Sequence, residues 1–171
     1  MVIRLTSNEI LQTLGSDQYR NKCAVVPLGY SIDSRSLRKG DCFIAIKGQK
    51  FDGHQFIEEA IQKGACLLIV SRDSLIPKSS NIPYIVVQDT LLALQQLARR
   101  VRHKWGRTII GVTGSTGKTT TKEIIGHLLS SRFKVFQSMG NFNNDYGLPL
   151  SLLKLEKTHE IAVLELGMSA P

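Results

Sequence analysis

The chain has 171 residues, enough for one domain or two small ones, and 42% of them are apolar, enough for a real core. The net charge of +8 comes from scattered Lys and Arg, and aromatics make up only 6%, which argues against a basic, aromatic-studded nucleic-acid surface. No apolar run approaches the roughly 20 residues that cross a bilayer, and the N-terminus lacks the charged-then-apolar order of a signal peptide. The sequence therefore reads as a cytoplasmic protein without membrane insertion.

Thr6-Ser7-Asn8-Glu9 is a capping box, predicting a short helix to about Leu14 that stops at Gly15. Val25-Val26 is a candidate strand before Pro27. Asp33-Ser34-Arg35 is a polar cluster, either a phosphate contact through Ser34 and Arg35 or an ordinary turn with a surface ion pair. Lys39-Gly40-Asp41 is a turn, Cys42 to Ile46 a strand, and Lys47 to His54 a loop. Gln55 to Lys63 has helical spacing and stops at Gly64. Cys66 to Val70 is another apolar strand. Cys23, Cys42 and Cys66 fit no metal or disulfide pattern; Cys42 and Cys66, inside apolar runs, read as small core residues.

Ser71 to Pro83, with Pro77, Ser79, Ser80 and Pro83, is the best linker candidate, so the expected domains are 1–83 and 84–171. Tyr84 to Val87 resumes as a strand. Asp89 or Thr90 caps a helix to about Trp105, with one apolar stripe through Leu94, Leu97 and Val101. Its basic end, Arg99 to Arg107, reads as a solvated face. After the glycine turn come a helix to about Ser131 with Ile124, Ile125, Leu128 and Leu129 expected inward, a strand at Phe133 to Phe136, a polar loop from Met139 to Pro149, a short helix at Leu150 to Leu155 and a strand at Ile161 to Leu166. Alternating strands and helices predict an α/β fold in both halves, the second half being the incomplete start of a parallel sheet.

The chain is organised around Thr108 to Glu123. A β-branched strand, Thr108 to Thr113, runs into the side-chain-poor turn Gly114-Ser115-Thr116-Gly117, and Lys118-Thr119-Thr120 opens a helix. This is the layout of a phosphate-binding loop: turn N–H groups and the helix N-terminus face phosphate, the lysine reaches the terminal phosphates, and the next hydroxyl ligates Mg2+. The strict motif wants glycine at position 112, where Val112 stands, with Gly111 one residue early. The competing reading is a glycine turn that merely ends a strand.

Glu165, at the carboxyl end of a later parallel strand, is placed to hold Mg2+ or its water; the alternative is a solvent-facing strand end. Asn141, Asn143, Asn144 and Asp145 form a loop whose amides both donate and accept, suited to a carbonyl- or sugar-rich ligand, though the composition alone says only loop. The four histidines do not cluster at any ligand spacing.

Taken together, Asp33-Ser34-Arg35, Gly48 through Phe56, Thr113 to Thr120, the Gly140-Asn141-Phe142-Asn143-Asn144 segment with Gly147-Leu148-Pro149, and Glu165-Leu166-Gly167-Met168 resemble the Mur ligase family of peptidoglycan synthesis. That family shares the shifted first glycine. The asparagine-rich segment and Glu-Leu-Gly-Met are most similar to the branch that joins D-alanyl-D-alanine to UDP-N-acetylmuramoyl-tripeptide. The resemblance implies a UDP-sugar-peptide-binding first domain, with Ser34, Arg35, Gly48, Gln49, Lys50, Phe51 and Asp52 as contacts, followed by the first part of an ATPase domain. It implies that Gly114 to Thr120 hold ATP, that Thr119 and Glu165 hold Mg2+, that Lys118 and Glu165 serve catalysis, and that Asn141, Asn143 and Asn144 face the substrate. The implied reaction is amide-bond formation through an acyl phosphate. Family members continue well past residue 171, so this chain is expected to be an inactive fragment of such a ligase. Two other classes remain open: a stand-alone nucleotide-binding module and a nucleic-acid-associated phosphate-loop protein.

Overall fold

A computed structural model describes residues 1–48, 51–73, 75–138 and 143–167. The chain divides into two compact units, residues 4–97 and residues 1–3 with 98–171. This division falls at 97/98, later than the domain boundary expected at 83/84. The strand after the proline-containing stretch is hydrogen-bonded into the first sheet, so the division falls later, inside a helix, and the first three residues join the second unit.

In the first unit, α1 (Ser7–Leu14) starts where the capping box predicts: Thr6 Oγ1 accepts from Glu9 N at 3.2 Å and Glu9 Oε2 accepts from Thr6 N at 2.9 Å. Five strands follow: β1 (Tyr19–Arg20), β2 (Tyr30–Ser31), β3 (Cys42–Ile44), β4 (Leu67–Val70) and β5 (Tyr84–Val86). Their order is β1-β5-β4-β3-β2, parallel except for β1. A 3-10 turn (Gly53–Phe56) leads into α2 (Ile57–Gln62), and α3 spans Thr90–Trp105.

Val25-Val26 forms no strand. Ser7 holds both backbone groups of Val25, with Ser7 N to Val25 O at 2.8 Å and Val25 N to Ser7 Oγ at 3.3 Å. Val26, preceding Pro27, is exposed. The strand from Cys42 ends at Ile44, because Ile46 gives its N–H to Ile44 O and its carbonyl to Gly53 N.

Every residue of β3 and β4 is buried, as expected for a parallel sheet covered on both faces. Strand alternation sorts the core: Phe43, Leu68 and Val70 pack with Leu37, Ile57 and Ala60 of the α2 side, while Cys42, Ile44, Leu67 and Ile69 point the other way. Cys42 and Cys66 are free thiols, Cys42 fully and Cys66 partly buried; burial pushes both thiols up from their ordinary value.

The second unit holds β6 (Thr108–Val112), α4 (Lys118–Ser130), β7 (Val135–Gln137), α5 (Gly147–Leu152) and β8 (Ile161–Glu165). Its three strands are parallel in the order β6-β8-β7, so the last strand inserts between the first two. Register pairs Val112 at the end of β6 with Glu165 at the end of β8. The first residues dock here, with Ile3 N to Leu155 O at 2.9 Å and the Met1 ammonium 2.9 Å from Glu156.

The inward face of α4 differs from the expectation. Lys122 and Gly126 are buried, Ile125 and Leu129 are half-buried, and Ile124 and Leu128 are 56% and 66% exposed. Gly126 explains the rotation: a Cβ there would lie 2.1 Å from the Gln137 side chain, so the helix approaches β7 through its glycine. Among the described residues no helix is long and apolar enough to cross a membrane.

Candidate nucleotide-binding site

β6 delivers the chain to the phosphate loop and α4 carries it away. The turn needs two glycines for backbone reasons: Gly114 has φ +146 and Gly117, the residue that caps α4, has φ +73, both disfavoured for residues with a Cβ. The first turn of α4 leaves its N–H groups facing the loop, with the positive end of the helix behind them. Lys118 reaches back across the turn, its Nζ donating to Gly114 O at 2.8 Å.

Opposite the loop stands Glu165. Thr119 Oγ1 donates to Glu165 Oε2 at 2.7 Å, and Asn143 Nδ2 donates to Glu165 Oε1 at 2.7 Å. One carboxylate thus gathers the helix start, the end of β8 and the asparagine segment. Asn143 O in turn accepts from Gly167 N at 2.8 Å. Asn144 has a local role: its Oδ1 accepts from Gly147 N at 2.8 Å and Tyr146 N at 3.2 Å, preparing the turn into α5.

Glu165 is only 3% exposed. Burial pushes its carboxyl up, but the Thr119 and Asn143 hydrogen bonds and the Lys122 and Lys118 charges outweigh burial and hold it below its ordinary value. The carboxylate is ionised at neutral pH. Thr119 Oγ1 and Glu165 are hard oxygen donors beside a phosphate cradle, and Mg2+ is commonly held by one or two such groups together with phosphate oxygens and water. The donor set fits that ion.

Two residues of this cluster escape a sequence reading. Lys122 is 2% exposed, and its Nζ donates to Ser138 O at 2.8 Å. Ser138, also 2% exposed, accepts from Glu165 N through its Oγ at 3.1 Å and donates its own N–H to Val163 O at 3.2 Å. The available signal is spacing: Lys118, Lys122 and Gly126 recur every four residues on one helical face.

In the first unit, the residues expected to contact substrate divide into two kinds. Ser34 is 3% exposed; its Oγ donates to Glu59 Oε2 at 2.8 Å and its carbonyl accepts from Lys63 Nζ at 2.9 Å. Asp52 caps the 3-10 turn, accepting from His54 N at 3.0 Å, lies 2.7 Å from His54 Nδ1, and pairs with Arg72. The His54 Nε2 accepts from Ser71 N at 2.9 Å, which places the ring proton on Nδ1, facing Asp52. Arg35 and Phe51, by contrast, are outward: Arg35 pairs with Asp33 at 2.8 Å with most of its side chain exposed, and Phe51 is 74% exposed. Gly48 N donates to Phe51 O at 2.8 Å, closing the tip of the loop. Gln49, Lys50 and Asn141 lie outside the described residues.

A parallel sheet that feeds a glycine turn and Lys-Thr, with a carboxylate on the neighbouring strand, defines a protein of the phosphate-binding-loop class. Within that class the chain belongs to the Mur ligase family: residues 29–102 match the family's catalytic domain and residues 112–171 its middle domain. The UDP-N-acetylmuramoyl-tripeptide–D-alanyl-D-alanine ligase of Bacillus subtilis is 45% identical over 158 residues, 92% of this chain and 34% of the relative. The Escherichia coli ligase of the same name is 41% identical over 135 residues, 79% and 29% of the two chains. A crystal structure of MurF from Acinetobacter baumannii superposes with a TM-score of 0.89 at 36% identity, over 99% of this chain and 37% of that one. The MurF ligase of Thermotoga maritima in complex with ADP gives 0.73 at 43% identity, over 84% and 33%. A 2,6-diaminopimelate-adding ligase gives 0.51 at 25% identity, over 81% and 31%. The chain spans about a third of the length of the relatives it matches.

Proposed function

We propose that the chain is part of a cytoplasmic ATP-dependent ligase that joins D-alanyl-D-alanine to UDP-N-acetylmuramoyl-tripeptide. The single observation that carries the reading is the Thr119–Glu165–Asn143 cluster facing the phosphate loop. It ties the asparagine segment, which has no place in a generic phosphate loop, to the carboxylate a phosphoryl-transfer site needs. The higher identity to D-alanyl-D-alanine-adding relatives than to the diaminopimelate-adding one supports that branch.

In this reading the second unit holds ATP. The N–H groups of Gly114 to Thr120 cradle the phosphates, and Lys118 neutralises charge on the transferring phosphoryl group. Thr119 and Glu165 would hold Mg2+, which supplies further charge neutralisation when bound. The tripeptide carboxylate attacks the terminal phosphorus, ADP leaves, and the amine of D-alanyl-D-alanine then displaces phosphate from the acyl phosphate, losing its proton as the amide forms. The contribution of these residues is positioning and electrostatics. Asn143 orients Glu165, and Asn144 sets the turn beside it.

The first unit holds the UDP-sugar peptide. Arg35 and the backbone and ring around Gly48 to Asp52 make the contacts, while Ser34 and Asp52 shape the two loops from within. Calorimetric titration of the chain with UDP-N-acetylmuramoyl-tripeptide tests this. Saturable binding that weakens at least about tenfold on Arg35→Ala, the loss expected for one charge-assisted phosphate contact, supports it. A folded chain that binds nucleotide but no UDP-sugar peptide would instead favour a stand-alone nucleotide-binding module.

A further inference from the structure

One buried imidazole joins two loops at the carboxyl edge of the first sheet. The loop after β3 folds back on itself as a narrow stem. Lys47 and Asp52 face each other in an antiparallel bridge, Gly48 N donates to Phe51 O at 2.8 Å, and Gly53 N donates to Ile46 O at 2.8 Å. Gly53 has no room for a side chain, since a Cβ would lie 2.8 Å from the backbone N and O of Ile46. His54 follows directly and is 1% exposed. Its Nδ1 lies 2.7 Å from Asp52 Oδ1, and its Nε2 accepts from the N–H of Ser71, the first residue after β4, at 2.9 Å. Ser71 Oγ lies 3.2 Å from the same nitrogen, and Asp52 turns its second oxygen to Arg72. The ring therefore ties the loop after β3 to the loop after β4. These two strands are parallel neighbours, and the carboxyl ends of such strands are where α/β sheets take ligands.

An apolar residue would fill the same space but leave Asp52 Oδ1 and Ser71 N each short of a partner, a costly state for buried groups. A neutral imidazole carries a donor on one edge and an acceptor on the other, and satisfies both together. We propose that His54 is a positioning residue for the UDP-sugar peptide: acting through Asp52 and Ser71, it holds the stem of Lys47, Gly48, Phe51 and Asp52 in the form that receives the ligand. This rests on the reading of the first unit as the UDP-sugar-peptide site. The ring is sealed from solvent and touches no ligand. Its effect is preorganisation. With the stem tied at its base, the ligand does not have to order the loop on binding, a cost that otherwise subtracts from affinity.

The test compares whole-chain variants by calorimetric titration with UDP-N-acetylmuramoyl-tripeptide and with ADP, and by amide hydrogen exchange. His54→Leu keeps the bulk and removes both links. Its Kd for the UDP-sugar peptide should rise at least about tenfold, while ADP binding in the second unit stays as in wild type. Exchange at the Gly48 and Gly53 amides should speed up while β3 and β4 stay protected. His54→Asn, whose amide still donates to Asp52 but does not reach Ser71, should lose less, at least about threefold. If His54→Leu does not fold, His54→Asn decides by the same comparison. A folded variant that binds the UDP-sugar peptide as tightly as wild type, or that loses ADP binding to the same degree, overturns the proposal. A merely structural histidine would lower Tm and leave the Kd of the folded chain unchanged. A wild-type chain that binds ADP but no UDP-sugar peptide overturns the reading of the first unit and this inference with it. Wild-type binding that survives His54→Leu overturns this inference alone, so the two failures are distinguishable.

Discussion

The two units solve the parallel-sheet problem differently. In the first, β3 and β4 are buried along their whole length, and the helix faces that read apolar in sequence are the faces that pack: Ile57 and Ala60 of α2, Leu94 and Leu97 of α3. In the second, only the central strand β8 is mostly buried, β6 is largely open, and the helix beside it turns a lysine and a glycine inward while Ile124 and Leu128 face out. The first unit is arranged for burial. The second gathers the helix start and the asparagine segment on Glu165, and its helix orientation follows from Gly126 against Gln137 and Lys122 against Ser138.

Substitutions sharpen the contrast. The largest effect is expected in the first core: Phe43→Ala removes a fully buried ring and should cost about 3–5 kcal/mol, measured by denaturant unfolding. Gly126→Val comes next. It drives a branched side chain into Gln137, and overpacking of this kind costs roughly 1–3 kcal/mol, although the flexible Gln137 side chain absorbs part of it. The smallest change belongs to Leu128→Ser, which should fall within about 0.5 kcal/mol because the side chain is 66% exposed; a loss comparable to Phe43→Ala would show that the helix face is packed after all.

Acid separates the units less. Burial pushes Asp52 up, but His54 and Arg72 outweigh it and hold its carboxyl below the ordinary value; the hydrogen bond from Lys63, then that from Ser34, lowers Glu59. Glu165 is lowered in the second unit. A depressed carboxyl contributes stability above its unfolded value and loses it as pH falls through the folded value. Both units should therefore hold from neutral pH down to about 4 and weaken below it. Asp52→Asn should flatten that acid limb for the first unit; an unchanged acid profile would remove Asp52 from the account.

Local signals were the legible part of this molecule. The Thr6–Glu9 capping box, the strand-turn-helix at Thr108 to Glu123 and the strand-end position of Glu165 all appear where their residue types require them. What escaped depends on tertiary contact. The division between units was hidden because β5 pairs with β4 and β1 across a proline-containing stretch that reads as a linker. The orientation of α4 was hidden because hydrophobicity favours Ile124 and Leu128, whereas Gly126 against Gln137 and Lys122 against Ser138 decide it. Ser34 and Asp52 carry polar side chains in a loop context, and only the fold shows that their oxygens are spent on Glu59 and His54.

The central claim is that Gly114 to Thr120, Glu165 and Asn143 form a nucleotide site. Calorimetric titration of the chain with ADP, with and without Mg2+, addresses it directly. The account predicts saturable binding that strengthens with Mg2+, falls at least about tenfold on Lys118→Ala, and loses its Mg2+ dependence on Glu165→Gln. A folded chain that binds no ADP, or binds it equally well after Lys118→Ala, would contradict it.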